Sequence, residues 1–235
     1  MSGAGYTKTT KPTKTTNFIR HPLLERMGVA HGFGTRDSVA PAGTLRPIQV
    51  HGADVVHVDK QLRTLETEAD AIVCDRPAGS VAIVTADCIP ILACSASGRA
   101  VAAIHAGWRG LAKGVVEAGI EALRGIAATG EQVVAVIGPH IGSCCYEVDA
   151  PVLEAMAQRF GAEVVSRASR ASSPGHAHLS LAQLAALSLQ RAGVGPELQG
   201  GLAQCCTGCG AEQFYSFRRQ GESAGRMVHF IATIG

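Results

Sequence analysis

Residues 80–106, SVAIVTADCIPILACSASGRAVAAIHA, decide the fold, because they contain two apolar runs separated by a short polar turn. The runs at 80–94 and 99–105 are rich in β-branched and small apolar residues, which predicts two strands. Neither run alternates apolar with polar residues, so both strands are expected to be covered on both faces. Pro90 lacks a backbone N–H and predicts an interruption of the first strand two residues after Cys88.

Working outward, the same patterns predict more strands and several helices. Further strands are expected at 48–58, 132–137 and 226–234. Helices are expected from after Gly110 to Gly125, from Asp149 to Gly161 and from Ser180 to Gly193. In the last of these, Ser180 and Gln183 form a capping box. Mixed β-sheets layered with helices, in an α+β or α/β fold, follow from this mixture.

Composition favours one domain and excludes several classes of protein. The chain has 235 residues with even composition from residue 18 onward, which predicts a single catalytic domain over 18–235 after a flexible arm at 1–17. A net charge of +2 gives no broad field for nucleic acid. Neither a membrane-length apolar run nor a secretory signal is found, so we predict a cytoplasmic protein without membrane partners.

Three ligand-type side chains, His51, Cys88 and His105, each lie beside a tight turn. Two imidazoles and a thiolate suit tetrahedral zinc, and three protein ligands leave a position open, as in catalytic sites. Their separations match no zinc-finger spacing. The alternative is that the histidines are satisfied core residues and the cysteine is a small buried hydrophobe.

Two arginines are candidate anion ligands. Arg109 lies in HAGWRG, residues 105–110, between a strand end and a helix N-terminus, where phosphate is favoured. Arg36 follows a similar glycine-flanked stretch. For both, the alternative is a solvent-exposed arginine in a glycine turn, and that alternative is stronger for Arg36. Asp87 is interpreted as structural, because neighbouring strand residues face opposite sides.

The remaining cysteines near a turn are interpreted as structural thiols. The C-x-x-C of 206–209 lacks a second pair at comparable spacing, as a zinc ribbon requires. In the adjacent pair at 144–145, one thiol is expected to face away. These residues are Cys144, Cys145, Cys205, Cys206 and Cys209.

Five segments together resemble the multicopper polyphenol oxidase, or laccase-domain, family, whose members have been reassigned as purine nucleoside phosphorylases with adenosine deaminase activity. They are QVHGADVV, ADAIVCDRPAGSVAIVTADCIPILA, AAIHAGWRGLAKGVV, IGPHIGSCCYEVD and CCTGCGAEQFYSFRRQGESAGRM. The resemblance covers roughly residues 30 to 232. It implies that the metal ligands are the His of QVH, the Cys of TADC and the His of HAGWRG, which are His51, Cys88 and His105.

The chain departs from the family pattern at two places. The segment Asp37 to Ile48 is shorter than in relatives, and Ala185-Ala186 replaces an Asn-Arg pair.

The leading hypothesis is therefore a zinc-dependent purine nucleoside phosphorylase with adenosine deaminase activity, with copper as the alternative to zinc at the same site. Its partners would be small molecules: adenosine, inosine or methylthioadenosine, and phosphate. His51, Cys88 and His105 would be catalytic, and Arg109 with Arg36 would position phosphate. One alternative is a metal-independent amide hydrolase acting on a peptidoglycan precursor, with Cys88 as nucleophile and His105 as base. The others are a copper-dependent phenol oxidase and a non-catalytic module that binds phosphate or nucleotide.

Overall fold

The structure is a computed structural model that describes residues 17–58, 66–202 and 204–235. The arm predicted at 1–17 therefore lies, except for Asn17, outside the described residues. The backbone carbonyl of Asn17 accepts hydrogen bonds from the hydroxyls of Thr35 and Ser38.

The described ranges contain strands and helices in a mixed order. The strands are β1 (Phe18–Ile19), β2 (Ala30–Gly34), β3 (Val55–Val58), β4 (Ala71–Cys74), β5 (Ser80–Thr85), β6 (Ile89–Ser95), β7 (Val101–Ala106), β8 (Val133–Ile137), β9 (Glu147–Val148), β10 (Ser169–Ser173), β11 (His176–Leu179), β12 (Gln199–Gly201) and β13 (Met227–Ala232). The helices are α1 (Pro22–Arg26), α2 (Trp108–Lys113), α3 (Val115–Ile126), α4 (Ala150–Phe160), α5 (Ala162–Arg167), α6 (Leu181–Arg191) and α7 (Phe217–Gln220). None of these helices is long and apolar enough to cross a membrane.

The strands form three sheets. A six-stranded sheet has the order β12-β8-β6-β7-β4-β3, a four-stranded sheet has the order β1-β2-β13-β5, and a small sheet has the order β10-β11-β9. The six-stranded sheet is mixed, since β3 pairs parallel with β4 while β4, β7, β6 and β8 pair antiparallel. The predicted fold class of mixed sheets layered with helices is confirmed.

The run at 80–94 forms two strands in two different sheets. The predicted interruption exists, but its predicted position at Pro90 is wrong. The chain breaks at Ala86–Cys88, before β6 begins, where Asp87 has a φ of 90°. β5 joins the four-stranded sheet and β6 the six-stranded sheet. Pro90 is the second residue of β6, opposite His105, where the missing N–H is tolerated close to the strand start.

The central strands bury both faces, as their continuous apolar runs predict. In β4, Ala71 and Val73 pack toward the helices, while Ile72 and Cys74 pack toward the four-stranded sheet. Two apolar cores therefore lie on either side of the six-stranded sheet, because alternate residues of one strand point in opposite directions. This layering holds the ends of β6 and β7 rigidly between two cores.

The boundaries of two elements differ clearly from the sequence prediction. The helix expected after Gly110 begins at Trp108 and is divided at Gly114, whose φ of 87° is left-handed. Of the strand expected at 48–58, only Val55–Val58 is a strand, and residues 49–54 are irregular with a bend at 51–52. The predicted helices at 149–161 and 180–193 are confirmed as α4 and α6, and the Ser180 hydroxyl accepts the backbone N–H of Gln183.

Candidate metal centre and its pocket

The three predicted ligands meet at one point. One donor atom each from His51, Cys88 and His105 lies within 4.8 Å of the others. The Cys88 Sγ is 3.9 Å from the His51 Nε2, and the two imidazole rings are 4.9 Å apart at 75°. Segments separated by 37 and 17 residues thus converge, which no local spacing rule detects.

The backbone at the centre is held in unusual conformations. His51 has a φ of 58° and Asp87, just before Cys88, has a φ of 90°. Such left-handed conformations are uncommon for residues other than glycine and cluster at functional sites. His105 lies at the end of β7, so the centre lies where the six-stranded sheet meets its connecting turns.

Asp70 supports two of the ligands and is missing from the sequence prediction. Its buried carboxylate accepts a 2.7 Å hydrogen bond from His105 Nδ1 and also binds the backbone N–H groups of Val50, His51 and Gly52. This contact leaves Nε2 of His105 as the ring nitrogen that could ligate a metal, in the carboxylate–histidine arrangement usual in metal sites. The sequence feature that could have identified Asp70 is its position as an acidic residue directly before the buried strand AIVC, residues 71–74.

Electrostatics at the centre favour a thiolate. Burial raises the pKa of Cys88, but hydrogen bonds and charge from His105 and His51 outweigh burial and lower that pKa to about 6. Burial lowers the pKa of His105, but Asp70 and then Cys88 raise it to about 9. For Asp70, burial opposes ionisation, yet His105 and the Gly52 N–H hold its pKa below the usual value. A thiolate is the form of cysteine that binds metal or attacks carbon.

The centre opens into a pocket of about 800 Å³. Arg109 lines it, with its guanidinium 4.4 Å from the centre of the Trp108 ring. In the described part of the chain, the guanidinium of Arg109 has no hydrogen-bond acceptor. The other arginines that line the pocket are Arg46, Arg218 and Arg226.

Arg36 does not line this pocket. Its Nε donates to the carbonyl of Phe214 at 3.2 Å, and its guanidinium lies 4.5 Å from the Tyr215 ring centre. The structure thus brings Arg109, but not Arg36, to the metal centre.

Asp87 has the structural role predicted for it. Its carboxylate accepts hydrogen bonds from the hydroxyls of Thr207 and Ser216 and from the backbone N–H of Arg218. Strand alternation is not the cause, because residue 87 lies in the break between β5 and β6 and not within a strand. The contacts tie the C-terminal segment to the base of the pocket.

The prediction that the C-x-x-C of 206–209 lacks a partner pair is wrong. Four sulfur atoms, from Cys144, Cys145, Cys206 and Cys209, lie within 4.8 Å of one another. Cys144 and Cys145 occupy a turn, where strand alternation does not apply, so both thiols face the same cluster. Cys205 stands outside the group.

The fold and this pocket define a class of mixed-sheet proteins in which two histidines and a cysteine form a candidate metal site beside a pocket. The family profile described as multi-copper polyphenol oxidoreductase laccase matches residues 34–234, and this chain belongs to that family. The resemblance inferred from the sequence motifs is thereby confirmed.

Named relatives agree on one activity. The chain is 39% identical over 185 residues to purine nucleoside phosphorylase YfiH of Shigella flexneri, which covers 78% of this chain and 71% of the relative. It is 31% identical over 203 residues to a purine nucleoside phosphorylase of Bacteroides thetaiotaomicron, covering 83% and 74%.

Solved structures share the fold. YlmD from Geobacillus stearothermophilus superposes with a TM-score of 0.72 at 31% identity, covering 83% of this chain and 75% of that one. The hypothetical protein YfiH of Bacillus licheniformis gives 0.73 at 28% identity, covering 80% and 74%.

Proposed function

We propose that this chain is a zinc-dependent purine nucleoside phosphorylase with adenosine deaminase activity, acting on adenosine and inosine and by extension methylthioadenosine. One observation carries the proposal: a single pocket combines the His51, Cys88 and His105 donors with a free arginine at a helix start. The names of the relatives support the phosphorylase part of the proposal.

The donor set fits zinc. Two imidazoles and one thiolate are preferred zinc ligands, and a centre with three protein ligands keeps a position open on the pocket side. When bound, the metal would supply Lewis-acid polarisation of an oxygen at the reacting centre. Asp70 would hold the His105 ring in its ligating orientation, and the Asp70 contacts to Val50 and Gly52 would fix the turn that carries His51.

Arginines on the pocket wall would bind phosphate. Arg109 has unpaired donors and lies four residues after His105, so the anion would bind close to the metal centre. The carboxylate of Asp87, which also lines the pocket, is already hydrogen-bonded by Thr207, Ser216 and Arg218. Its charge is therefore partly offset, which favours an anionic ligand.

Aromatic side chains at the pocket would contact the purine. Trp108 lines the pocket, and Phe217 lines it with half of its surface exposed. Flat apolar rings suit a planar base. Burial raises the pKa of Tyr146 to about 12, so its hydroxyl stays protonated and available as a hydrogen-bond donor.

The residues then do defined work in each reaction. In phosphorolysis, a phosphate oxygen attacks C1′ of the ribose, the bond from C1′ to N9 breaks, and the purine leaves with the electron pair and takes up a proton. Arg109 would hold phosphate in line with that bond. In deamination, water adds at C6 of adenosine and ammonia leaves.

The test is to incubate the purified protein with adenosine and phosphate and to quantify adenine, ribose 1-phosphate, inosine and ammonia. We expect adenine with ribose 1-phosphate, and inosine as a parallel product. His105→Ala should lower both activities, because it removes a ligand and the partner of Asp70. If His105→Ala retains the parent rates, the activity belongs to a contaminating enzyme and the proposal fails.

A second candidate function has its own supporting observation. Cys88, His105 and Asp70 form a chain of nucleophile, base and orienting carboxylate, with a thiol pKa of about 6. We infer that, without metal, this arrangement suits a cysteine amide hydrolase. Chelation separates the two: an amide hydrolase gains or keeps activity after zinc removal, whereas the phosphorylase loses it.

A further inference from the structure

We propose that Cys144, Cys145, Cys206 and Cys209, which together form the four-cysteine cluster, hold a structural zinc ion that fixes one wall of the pocket. This site is separate from the His51–Cys88–His105 centre and shares no ligand with it. The proposal does not depend on the reaction proposed above.

The sulfur atoms are close enough together to surround one metal ion, since all four lie within 4.8 Å of one another. The Sγ atoms of Cys144 and Cys206 are 3.5 Å apart, those of Cys144 and Cys209 3.6 Å, and those of Cys145 and Cys209 3.4 Å. A zinc–sulfur bond of about 2.3 Å gives a tetrahedron edge of about 3.8 Å. These three pairs of sulfurs are therefore close to the spacing of ligands on one zinc ion.

Disulfides and iron–sulfur clusters fit the sulfur positions less well than zinc does. A disulfide brings two sulfurs to about 2.05 Å, much closer than the 3.4 Å between Cys145 and Cys209. An iron–sulfur cluster places several iron and sulfide atoms between the cysteines and needs a wider space than four sulfurs within 4.8 Å allow. Four thiolates with no open position are typical of closed, structural zinc sites.

The backbone around the sulfurs is shaped for close approach. The N–H of Gly142 donates to the Cys206 Sγ at 3.2 Å, which stabilises a thiolate. A Cβ at Gly208 would lie 2.7 Å from the Cys145 Cβ and 2.9 Å from its Sγ. Only glycine fits there, because the turn at 206–209 packs directly on the turn at 144–145.

The cluster connects the two segments that build one wall of the pocket. Tyr146 follows Cys145 directly and lines the pocket. Thr207, between two of the ligands, donates its hydroxyl to Asp87, which precedes Cys88. The guanidinium of Arg219 donates to the carbonyls of Thr207 and Gly208 and so ties the cluster to α7. A metal at the cluster would hold Tyr146, Asp87 and α7 in fixed positions relative to one another.

The experiment counts metal ions in the full-length protein as purified. We expect about two zinc ions per chain in the parent and one each in Cys206→Ser and Cys88→Ala. Cys205→Ser is the matched control: its thiol is adjacent in sequence but outside the cluster, so two zinc ions should remain. Retention of two zinc ions in Cys206→Ser overturns the proposal.

A second measurement covers the case in which Cys206→Ser does not fold. In the His51→Ala/Cys88→Ala double variant, X-ray absorption at the zinc edge should show a shell of four sulfurs and no imidazole scattering. Nitrogen ligands, absence of zinc, iron with visible absorbance, or disulfides among the four cysteines would each refute a zinc–thiolate site. Gly208→Ala should lower zinc content at the cluster, since its Cβ separates the two turns.

Discussion

The two clusters of candidate metal ligands differ in the number of donors and in what surrounds them. The His51–Cys88–His105 centre has three donors at strand ends, is backed by the buried Asp70 and opens into the pocket. The four-cysteine cluster has four like donors on two surface turns, with Cys144 and Cys209 exposed. A free position beside a pocket allows chemistry, whereas four thiolates saturate a metal. The donor numbers thus support the two proposals, a reactive centre at the pocket and a structural site at the four cysteines.

The largest expected effect separates the two clusters. Cys88→Ala should lose the pocket metal and most phosphorolysis, and should lower the thermal unfolding midpoint by less than Cys206→Ser does. A metal bound only by the folded state stabilises it in proportion to its affinity, and closed four-thiolate sites contribute folding energy directly, so the larger drop is expected in Cys206→Ser. Calorimetry measures the unfolding midpoint of each variant, and turnover per folded molecule measures its phosphorolysis. If Cys88→Ala lowers stability more and activity less than Cys206→Ser, the assigned roles are reversed.

The next effect concerns the pocket arginine. Arg109→Ala should raise the phosphate concentration for half-maximal phosphorolysis, since it removes a charge-assisted contact of about 1.5–3 kcal/mol, or about 10- to 150-fold. The matched control is Arg36→Ala, which changes an arginine bonded to Phe214 outside the pocket. Steady-state kinetics at varied phosphate concentration measure the half-maximal phosphate concentration for each variant. A larger shift in Arg36→Ala than in Arg109→Ala would place the anion site elsewhere.

A smaller effect tests the support of the reactive centre. Asp70→Asn should weaken zinc binding at the pocket by about 10- to 100-fold, because an amide orients His105 less strongly than a carboxylate. Zinc at the four-cysteine cluster should be unaffected. Competition with a chelator, followed by metal analysis, measures both. Equal weakening at the two clusters would show a global loss of packing and not a local role for Asp70.

The sequence predicted what depends on local pattern. Continuous apolar runs predicted strands buried on both faces, and the family motifs identified His51, Cys88 and His105, which the fold brings together. The break before β6 was misplaced because a left-handed aspartate, Asp87, leaves no apolar signature.

Contacts between distant segments were missed for a different reason. Asp70 lies 35 residues before its partner His105, and Cys145 lies 61 residues before Cys206. Neither separation corresponds to the repeat of a helix, a strand or a known metal-ligand motif. The expectation that one thiol of an adjacent pair faces away assumes the side-chain alternation of a strand, and residues 144–145 lie in a turn. Tertiary packing alone brings these groups together.

The smallest expected effect distinguishes a core histidine from a ligand histidine. His229 is fully buried, accepts the N–H of Gly34 and contacts the hydroxyl of Thr85. Burial, and secondarily the positive charge of His105, lower the pKa of His229 to about 3, the opposite direction to His105. Between about pH 6.5 and pH 3 the unfolded chain therefore binds a proton at this residue that the folded chain does not.

The free energy of unfolding should thus fall as pH is lowered, by about 1.3 kcal/mol from this group between pH 7 and pH 5.5. His229→Gln removes the titrating group but retains a polar side chain. The variant should have a lower free energy of unfolding than the parent, and this difference should shrink by about 1.3 kcal/mol between pH 7 and pH 5.5. Urea unfolding at both pH values, with the same zinc concentration in each sample, measures the difference. Ligand protonation at the two clusters affects parent and variant equally and cancels. If the difference in unfolding free energy stays constant with pH, His229 binds its proton equally in the folded and unfolded chains. The acid sensitivity would then come from the metal centres.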